Sequence, residues 1–353
     1  GIKVIEKAAE LDNFEVEWIK YPHGAEHFLE TKEVLNEKIL KNIKNSCNAI
    51  YCGTFDNSIK ESNGITNYIR NYFDQFVCLR PVKLLPGVES PLANKTHNDI
   101  NFVVIRENSE DFYVGAFGRA KNGKNKHQIG ISKNTFKAKF ALNVETKGSE
   151  IAYQIGVLSR KGCERIVKYA FEYAKSKNKK SIAAVDKANL IDAYSLWRES
   201  FNKVAKEYAG IAHEFSLIDT AVMNFIRQPE KYEIVVAPNV FGDILSDLGT
   251  VIQGGLAFAA QGNINPDDIS MFEPIHGSAA KLKGQGIVNP IATIWAASLM
   301  LDSIGQHKSS DLMLKSIESV LKDGRTRTQD LDGQNSTSEM GNAIVDKFIE
   351  LHD

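Results

Sequence analysis

Apolar residues recur along the first half of the chain with two periods. Apolar positions three or four residues apart predict helices, whereas short continuous or alternating apolar runs predict strands. Regular alternation of the two kinds of element predicts an α/β protein. Helices are predicted at residues 3–11, 31–45, 65–73 and 161–176, and strands at residues 14–20, 49–52, 76–79, 102–105 and 181–185.

The alternation continues beyond residue 189, where another helix is predicted. A strand at 216–218 leads to a helix at 220–226, and the apolar run 234–237 predicts a buried strand that Pro238 ends. The helix that follows is broken at Gly254 and Gly255, and a loop rich in Gly, Asn and Pro comes next. The closing helices are predicted at residues 291–304, 309–322 and 339–351.

One region departs from this alternation. Residues 119–150 are rich in Gly, Asn and Lys and contain only short alternating pieces. This pattern predicts a hairpin-like insertion or an oligomerisation arm.

Composition narrows the class of protein. With 353 residues, the chain can form one large domain or two of ordinary size, and 43% hydrophobic with 25% charged residues is typical of a soluble globular protein. With a net charge of −1, the chain lacks the excess of positive charge that is typical of nucleic-acid-binding proteins. The longest apolar run, residues 291–301, is too short to span a bilayer, and no signal peptide is visible. The four cysteines have no CxxC spacing, so we expect reduced thiols in a cytoplasmic protein.

The segment after Pro238 contains two acids four residues apart, Asp243 and Asp247. On a helix, these carboxylates lie one turn apart on the same face, where they repel each other unless a positive charge lies between them. Mg²⁺ or Mn²⁺ would supply that charge. Taken alone, the pair is more typical of a first helical turn whose acids complement the helix dipole.

Three arginines, Arg70, Arg80 and Arg106, stand at the ends of predicted elements. The ends of strands are where α/β proteins build ligand sites, and arginine suits bidentate recognition of carboxylates. Each arginine taken singly is equally typical of a surface ion pair. Together with an acidic pair that suits a metal ion, they favour a site for a polycarboxylate.

Further candidates follow other strands. Lys187, in the run DKAN at residues 186–189, would act as a base if a metal or burial lowered its pKa, and it otherwise belongs to a capped helix start. Tyr113 has a phenolic proton to donate, although most tyrosines only pack. Asp219 opens a helix and is by default its N-cap. The loop 273–281 contains His276 among small residues that suit a nucleotide ring or a phosphate.

Six motifs resemble one family, the metal-dependent decarboxylating 2-hydroxyacid dehydrogenases that act on isocitrate, isopropylmalate, homoisocitrate, tartrate or D-malate. The resemblance runs from residue 1 to about residue 344, in family order and spacing. It implies an isopropylmalate dehydrogenase-like fold with two α/β domains that share a central sheet, without the usual GxGxxG fingerprint of dinucleotide-binding folds. The motifs are LRPV at 79–82, IRENSE at 105–110, DKAN at 186–189, NVFGDILSD at 239–247, EPIHGS at 273–278 and VNP at 288–290.

The same resemblance implies the domain limits. Residues 1–75 and 254–353 would form the larger, cofactor-side domain. Residues 76–253 would form the smaller domain for dimerisation, substrate and metal, with a clasp-like insertion at about 116–155. The family's first strand and its Gly-Asp-Gly-Ile turn would precede Gly1, so we expect an N-terminal piece before this chain. For the same reason the expectation of a cytoplasmic protein leaves an organelle matrix open.

Residue roles follow from the resemblance, position by position. The clamp on the malate-like carboxylates would be Arg70, Arg80 and Arg106, and the metal ligands would be Asp243 and Asp247 with Asp219 from a second subunit of a homodimer or larger oligomer. Lys187 and Asn189, also from the partner subunit, would act at the substrate hydroxyl and carboxylate, and Tyr113 would deliver the final proton. The expected cofactor contacts are Glu273, His276, Gly277, Lys281 and Asn289.

The implied reaction is oxidation followed by loss of CO₂. The metal would lower the pKa of the C2 hydroxyl, Lys187 would accept its proton, and hydride would pass to the nicotinamide. The β-keto acid would then lose CO₂, and Tyr113 would protonate C3. The polar residues Thr66 and Asn67 argue against an isopropylmalate side-chain pocket.

Substrate and cofactor are predicted less directly. The sequence at residues 78–82 and 107–111 resembles bacterial isocitrate dehydrogenase. Gly64 and residues 74–77 instead resemble the tartrate and D-malate branch of the family. Isocitrate is therefore narrowly favoured as the substrate. Lys281 favours NADP over NAD because a cation suits a 2′-phosphate. Against NADP, Gln329 and Gly333 replace the tyrosine and arginine of bacterial NADP enzymes. A non-catalytic regulatory subunit is the alternative class, although the reacting residues are intact.

Overall fold

The computed structural model describes residues 1–56, 59–60 and 64–352. Its helices are α1 (Ile2–Asp12), α2 (Ala25–Thr31), α3 (Glu37–Ser46), α4 (Ile65–Tyr72), α5 (Arg160–Ser176), α6 (Tyr194–Ala205), α7 (Ile218–Arg227), α8 (Asn239–Ile252), α9 (Ile291–Ser303), α10 (His307–Asp323) and α11 (Thr337–His352). Its strands are β1 (Ala49–Tyr51), β2 (Val77–Lys83), β3 (Asn101–Glu107), β4 (Phe117–Ala120), β5 (Gly123–Ser132), β6 (Lys137–Thr146), β7 (Ile151–Gln154), β8 (Ser181–Asp186), β9 (Ala212–Leu217), β10 (Ile234–Ala237), β11 (Ala260–Ile264) and β12 (Ser270–Pro274).

The fold is mixed α/β with a large mixed sheet, which confirms the predicted fold class. The chain divides into two compact units: residues 1–102 with 247–353, and residues 103–246. The sequence predicts boundaries at 75/76 and 253/254 instead. The observed boundaries fall inside β3 and inside α8. Sequence patterns give no signal there, because a strand or helix that crosses a boundary is continuous in its periodicity.

In the first unit, β1 pairs in parallel with β12, which is antiparallel to β11, and β11 is antiparallel to β2. The apolar helix α9 packs against β11 and β12 on one side and against α10 on another. It is apolar almost all round, as expected of a helix surrounded by protein.

In the second unit, β3, β10, β8 and β9 are all parallel. Every residue of β10 is buried, which is typical of a parallel strand covered on both faces. The register places Ala237 beside Arg106. The residues that leave β3 and β10 at their carboxyl ends therefore start next to each other, and this is where the predicted site residues cluster.

The predicted insertion contains two antiparallel strand pairs. The long pair β5–β6 is in register from Gly123 opposite Thr146 to Ser132 opposite Lys137, and β4 pairs with β7. The hairpin itself agrees with the sequence pattern, whereas a role in oligomerisation stays a prediction.

Two predictions of secondary structure are wrong. Residues 14–20, all of them described, form no strand, although Phe14, Val16 and Trp18 are half-buried and alternate with exposed residues. Alternation shows which side chains face the protein, but it does not show whether a partner strand is present. The loop predicted after Gly255 contains two buried strands, β11 and β12, whose polar side chains conceal the usual apolar signal.

Two further differences are smaller. The helix predicted at 31–45 begins only at Glu37, as α3, and the separate short helix α2 ends at Thr31. Asp219 is in the first turn of α7 and is not its N-cap, which is Leu217. No helix in the described part of the chain is long and apolar enough to cross a membrane. All four cysteines are free thiols.

Candidate active site

Arg106 is the centre of a polar cluster in the second unit. It is the penultimate residue of β3 and is only 5% exposed. Its Nε donates to Oδ1 of Asn239 at 2.8 Å, and its Nη1 donates to Oδ1 of Asp243. Asn239 opens α8 directly after β10, so the buried guanidinium is held by the first turn of the next helix. A buried charge needs such paired partners to remain ionised.

The close approach of α8 to β3 depends on a glycine. A Cβ built on Gly242 would lie 2.6 Å from Cβ of Arg106 and 3.1 Å from its Cα. Only a residue without a side chain allows the helix to come this near to the strand. Gly242 therefore determines how closely Asp243 and Arg106 pair.

Tyr113 completes this cluster. Its hydroxyl donates to Oδ2 of Asp243 at 3.4 Å, and the Arg106 guanidinium lies 5.7 Å from the centre of its ring. The side chain is 51% exposed, so the hydroxyl is open to a ligand. Partial burial and the Asp243 carboxylate raise the pKa of the Tyr113 phenol, which keeps its proton in place at neutral pH.

An acidic turn at residues 107–111 contacts the start of α8 and so supports the cluster. Asp111 accepts from the backbone N–H of Val240 at 2.9 Å and from the hydroxyl of Tyr194 at 2.8 Å. The backbone carbonyl of Glu110 accepts from Nδ2 of Asn239 at 3.1 Å. Burial, followed by the neighbouring Glu110, raises the pKa of Glu107 to about 7. This turn fixes the start of α8 relative to β3.

A second cluster in the same unit joins Lys187 and Asp219. Lys187 follows β8, and its Nζ donates to Oδ2 of Asp219 in the first turn of α7. This hydrogen bond lowers the pKa of the exposed Asp219 carboxyl. Asn189 is exposed, whereas the preceding Asp186 is buried and paired with Arg198 at 2.6 Å. In the run DKAN, the ion pair of Asp186 with Arg198 thus fixes the backbone, and Lys187 and Asn189 remain accessible.

Arg80 occupies the equivalent place in the first unit. It lies on β2, is 6% exposed, and donates from Nη1 to Oδ1 of Asp247 at 3.1 Å. Its Nε donates to Oε1 of Gln261 at 2.8 Å. Arg80 is therefore held rigidly from β11 while it pairs with an acid of α8.

Glu273 is part of a buried network behind Arg80. Its Oε1 accepts from Nε2 of Gln261 and from Nδ2 of Asn263, both at 2.8 Å. The same oxygen lies 3.6 Å from Nη2 of Arg70. The Nε of Arg70 is buried and has no hydrogen-bond partner among the described residues. An unpartnered guanidinium donor of this kind suits a carboxylate ligand.

The predicted cofactor loop shows two kinds of environment. Gly277 and Lys281 are exposed, and Nδ1 of His276 lies 3.0 Å from the carbonyl oxygen of Gly277. Asn289 is buried: its Oδ1 accepts from the backbone N–H of Ile291 at the start of α9, and its Nδ2 donates to Asp330 at 3.0 Å. Asn289 thus has a structural role whether or not it also binds a cofactor.

Comparison with known proteins identifies the family. Residues 1–344 match the family model described as isocitrate/isopropylmalate dehydrogenase. This chain belongs to that family. Its members are decarboxylating dehydrogenases, which are oxidoreductases that act on CH–OH groups.

Relatives within the family carry several substrate names. The chain is 34% identical to the D-malate dehydrogenase [decarboxylating] of Escherichia coli, with 98% of this chain and 92% of that protein covered. It is also 34% identical to the 3-isopropylmalate dehydrogenase of Thermobifida fusca, with 99% and 93% covered. The isocitrate dehydrogenase structure from Methylococcus capsulatus superimposes with a TM-score of 0.80 at 29% identity, with 98% and 95% covered.

The sequence suggested candidate site residues but missed the residues that hold them in place. The missed residues are Asn239, Gln261, Asn263 and Asp111, which hold Arg106, Arg80, Glu273 and the start of α8. Gln261 and Asn263 are two residues apart, a spacing that puts both side chains on one face of a strand. That spacing is the signal that would have identified β11 as a strand with a polar face.

Proposed function

We propose that the protein catalyses the metal-dependent oxidative decarboxylation of a (2R)-2-hydroxy dicarboxylic acid of the malate type, with NAD(P) as hydride acceptor. The observation that carries the proposal is the cluster of Arg106, Tyr113 and Asp243. In this cluster, the buried guanidinium of Arg106 suits a substrate carboxylate, the phenol of Tyr113 has a proton to donate, and the carboxylate of Asp243 offers oxygen ligands to a metal ion. The family membership supplies the reaction class.

The donor set fits a hard divalent cation. Asp243 and Asp247 are one turn apart on α8 and offer carboxylate oxygens, the ligands that Mg²⁺ and Mn²⁺ prefer. Each is paired with an arginine, so a cation bound here would share these carboxylates with Arg106 and Arg80. When bound, the cation would stabilise negative charge on the substrate hydroxyl oxygen and on the enolate left by decarboxylation.

Arginines hold the substrate in this proposal. Arg106 and Arg80 are prealigned by Asn239 and Gln261 respectively, so little ordering entropy is lost when a carboxylate binds. Arg70 offers its unpartnered Nε to the same ligand class. Glu273, which we expected to contact the cofactor, is proposed instead to position Arg70, because it is buried among Gln261 and Asn263.

Two residues move protons. Lys187 donates to Asp219 here, and a cation held by Asp219 would compete with Lys187 for that carboxylate. In its neutral amine form, Lys187 is proposed to accept the hydroxyl proton of the substrate. Tyr113 keeps its proton at neutral pH and is proposed to deliver it to C3 after CO₂ leaves. Asn189, exposed beside Lys187, is proposed to contact the substrate carboxylate.

A homodimer would bring Lys187, Asn189 and Asp219 to the partner's site. Large apolar side chains on α7 and α8 support this, since Met223, Ile226 and Ile244 are each about half exposed. Met223 lies one helical turn beyond Asp219, so a surface that covers it would also bring Asp219 to a subunit boundary.

Lys281 favours NADP within this proposal. No carboxylate of the described residues pairs with its exposed ammonium group, which is therefore open to a 2′-phosphate. Gly333 has no room for the arginine of bacterial NADP enzymes, because a Cβ there would lie 2.1 Å from the carbonyl oxygen of Arg327. Any recognition of a 2′-phosphate would thus differ from theirs. His276, Gly277 and Asn289 would hold the rest of the cofactor.

The side group of the substrate is proposed from α4. Thr66 is half-buried, Asn67 and Tyr68 are exposed, and a Cβ on Gly64 would meet no atom of the described residues within 4 Å. This polar, open face suits a C3 substituent that is absent or polar and does not suit an isopropyl group. Isocitrate is the second candidate, favoured by the motif wording at residues 107–111 and by the structural similarity to an isocitrate dehydrogenase.

The decisive experiment is a steady-state panel with Mg²⁺ or Mn²⁺. D-malate, tartrate, isocitrate, homoisocitrate and 3-isopropylmalate are each assayed with NAD and with NADP. We expect the highest kcat/KM for D-malate or tartrate and a preference for NADP. A clear preference for isocitrate would replace the malate assignment. No reduced cofactor from any acid would overturn the proposed catalysis and favour a regulatory subunit.

A further inference from the structure

A short segment that the proposed function does not use brings three metal-binding side chains together. His23 precedes α2, His27 lies on it, and Glu33 follows it. One ligand atom from each of the three lies within 4.8 Å of the others. Nε2 of His27 is 3.2 Å from Oε2 of Glu33, and the two imidazole rings are 4.8 Å apart in an edge arrangement.

His23 adds a second observation. Its Nδ1 is buried and has no hydrogen-bond partner among the described residues. Buried polar atoms are nearly always paired, since an unpaired one loses its hydrogen bonds to water without replacement. A metal ion that accepts the ring's lone pair would satisfy this nitrogen. Glu33 is mostly exposed, so an ion can reach the group from solvent.

We propose that His23, His27 and Glu33 form a binding site for a divalent transition metal, with zinc as the best match. Two imidazoles and one carboxylate suit zinc, whereas Mg²⁺ and Ca²⁺ prefer oxygen ligands. Tetrahedral zinc places its ligand atoms about 3.4 Å apart. Side-chain rotation brings the three atoms from within 4.8 Å to that spacing.

The surroundings leave a fourth coordination position open. His23 and Glu33 also line a cavity of about 700 Å³, together with Asn36, Asn42 and Asn45. Lys38 and Lys41 line it as well, and Nζ of Lys41 is paired with Glu37 at 2.8 Å. Water or a small anion from this polar cavity would complete the coordination sphere.

Metal binding would stabilise α2 and the segment around it. The helix has only seven residues and is too short to be stable by itself. Its ligands come from before, within and after it, so an ion would connect both ends of α2. This effect is separate from catalysis, because none of the three residues has a proposed role in the reaction.

The test uses protein stripped of metal with EDTA and then titrated with Zn²⁺ by calorimetry. The wild type is compared with the His23→Gln/His27→Gln double variant and with Asp243→Asn. The control variant is His97→Gln, which removes an exposed histidine that belongs to no metal-binding group in the described part of the chain. We expect the double variant to lose one zinc equivalent or to bind it at least 100-fold more weakly, and we expect Asp243→Asn and His97→Gln to keep it.

A second measurement identifies the ligands. Co²⁺ in a four-coordinate site absorbs strongly in the visible range, and this band should disappear in the double variant while Mg²⁺-dependent turnover stays at the wild-type level. Circular dichroism of the metal-free proteins checks that the variant is folded. Zinc stoichiometry and affinity equal to the wild type in a folded double variant would overturn the site, whatever the outcome of the substrate panel.

Discussion

The two buried arginines Arg106 and Arg80 are arranged alike but have different companions. Each lies on a strand of the sheet, is almost fully buried, and pairs through Nη1 with an aspartate of α8. Arg106 also lies beside the half-exposed hydroxyl-bearing ring of Tyr113. Arg80 is backed instead by the amide of Gln261.

This difference suggests a division of labour. The Arg106 cluster contains a group that can give up a proton, and its aspartate accepts from two side chains. The Arg80 cluster ends in a buried amide–carboxylate network that can orient a guanidinium. We therefore infer that the first cluster takes part in the chemistry and that the second binds and orients the substrate.

The largest expected effect separates the two aspartates. Asp243→Asn should lower metal-dependent kcat by roughly 10³-fold or more, because it removes a charge that the cation and Arg106 share. Asp247→Asn should cost less, since its carboxylate is two-thirds exposed and contacts only Arg80 among the cluster residues. Kinetics against Mg²⁺ concentration measure both. Asp323→Asn, at an exposed acid paired with Arg325, is the control, and equal losses in the two α8 variants would remove the distinction.

Tyr113→Phe tests whether the first cluster moves a proton. We expect kcat to fall by roughly 10²–10⁴-fold, with KM little changed, since a general acid acts in the transition state. The raised pKa of Tyr113 keeps the phenol protonated to higher pH, so wild-type kcat should show no loss from phenol ionisation below about pH 10. Tyr208→Phe is the matched control, because that hydroxyl also donates to a carboxylate, at 2.6 Å from Glu172. A Tyr113→Phe enzyme with wild-type kcat would contradict the assignment.

Two glycines of α8, Gly242 and Gly249, test whether the Arg106 and Arg80 clusters differ in function. A Cβ on Gly242 would meet Arg106, and a Cβ on Gly249 would meet Val82 at 2.5 Å. We expect both alanine variants to lose roughly 1–3 kcal/mol of stability through overpacking. Only Gly242→Ala should also lower kcat/KM, by roughly tenfold, because it displaces Arg106 from Asp243.

Thermal unfolding and kinetics on the same samples measure the two glycine effects. Gly341→Ala, on α11, should be neutral or stabilising, because no atom in the described part of the chain lies within 4 Å of the added Cβ. If Gly249→Ala reduced kcat/KM as much as Gly242→Ala, the division between the two clusters would be wrong.

The last prediction concerns stability rather than turnover, at Glu107 in the acidic turn behind the first cluster. Its pKa rises from 4.5 to about 7 on folding, so the folded protein holds a proton that the unfolded chain releases. Stability should therefore fall as pH rises from about 4.5 to 7 and level off above that, a loss of roughly 3 kcal/mol. Glu107→Gln should remove this loss, and the gain in melting temperature should appear at pH 8 and vanish near pH 4.5. Glu145→Gln, at an exposed acid, should show no such pH dependence.

Much of the fold was predictable because its helices and parallel strands follow simple periods. The sequence of β10 is an unbroken apolar run because both faces of the strand are covered by protein. The sequence of α9 is apolar almost throughout because the helix is surrounded by protein. Strands β11 and β12 were missed because Gln261, Asn263 and Glu273 are buried with one another. Polar residues that satisfy each other are buried without an apolar signature.

By itself, the sequence determined the family and the α/β class and supplied the candidates for the reacting residues, because residue types and spacing are local properties. It also placed the two aspartates one turn apart, since helix geometry alone decides that. Only the tertiary structure decided that Arg106 meets Tyr113 and Asp243, that Glu273 faces Arg70, and that His23 meets His27 and Glu33. The physical reason is that these contacts depend on strand register and on how closely helices approach strands, which residue spacing does not encode.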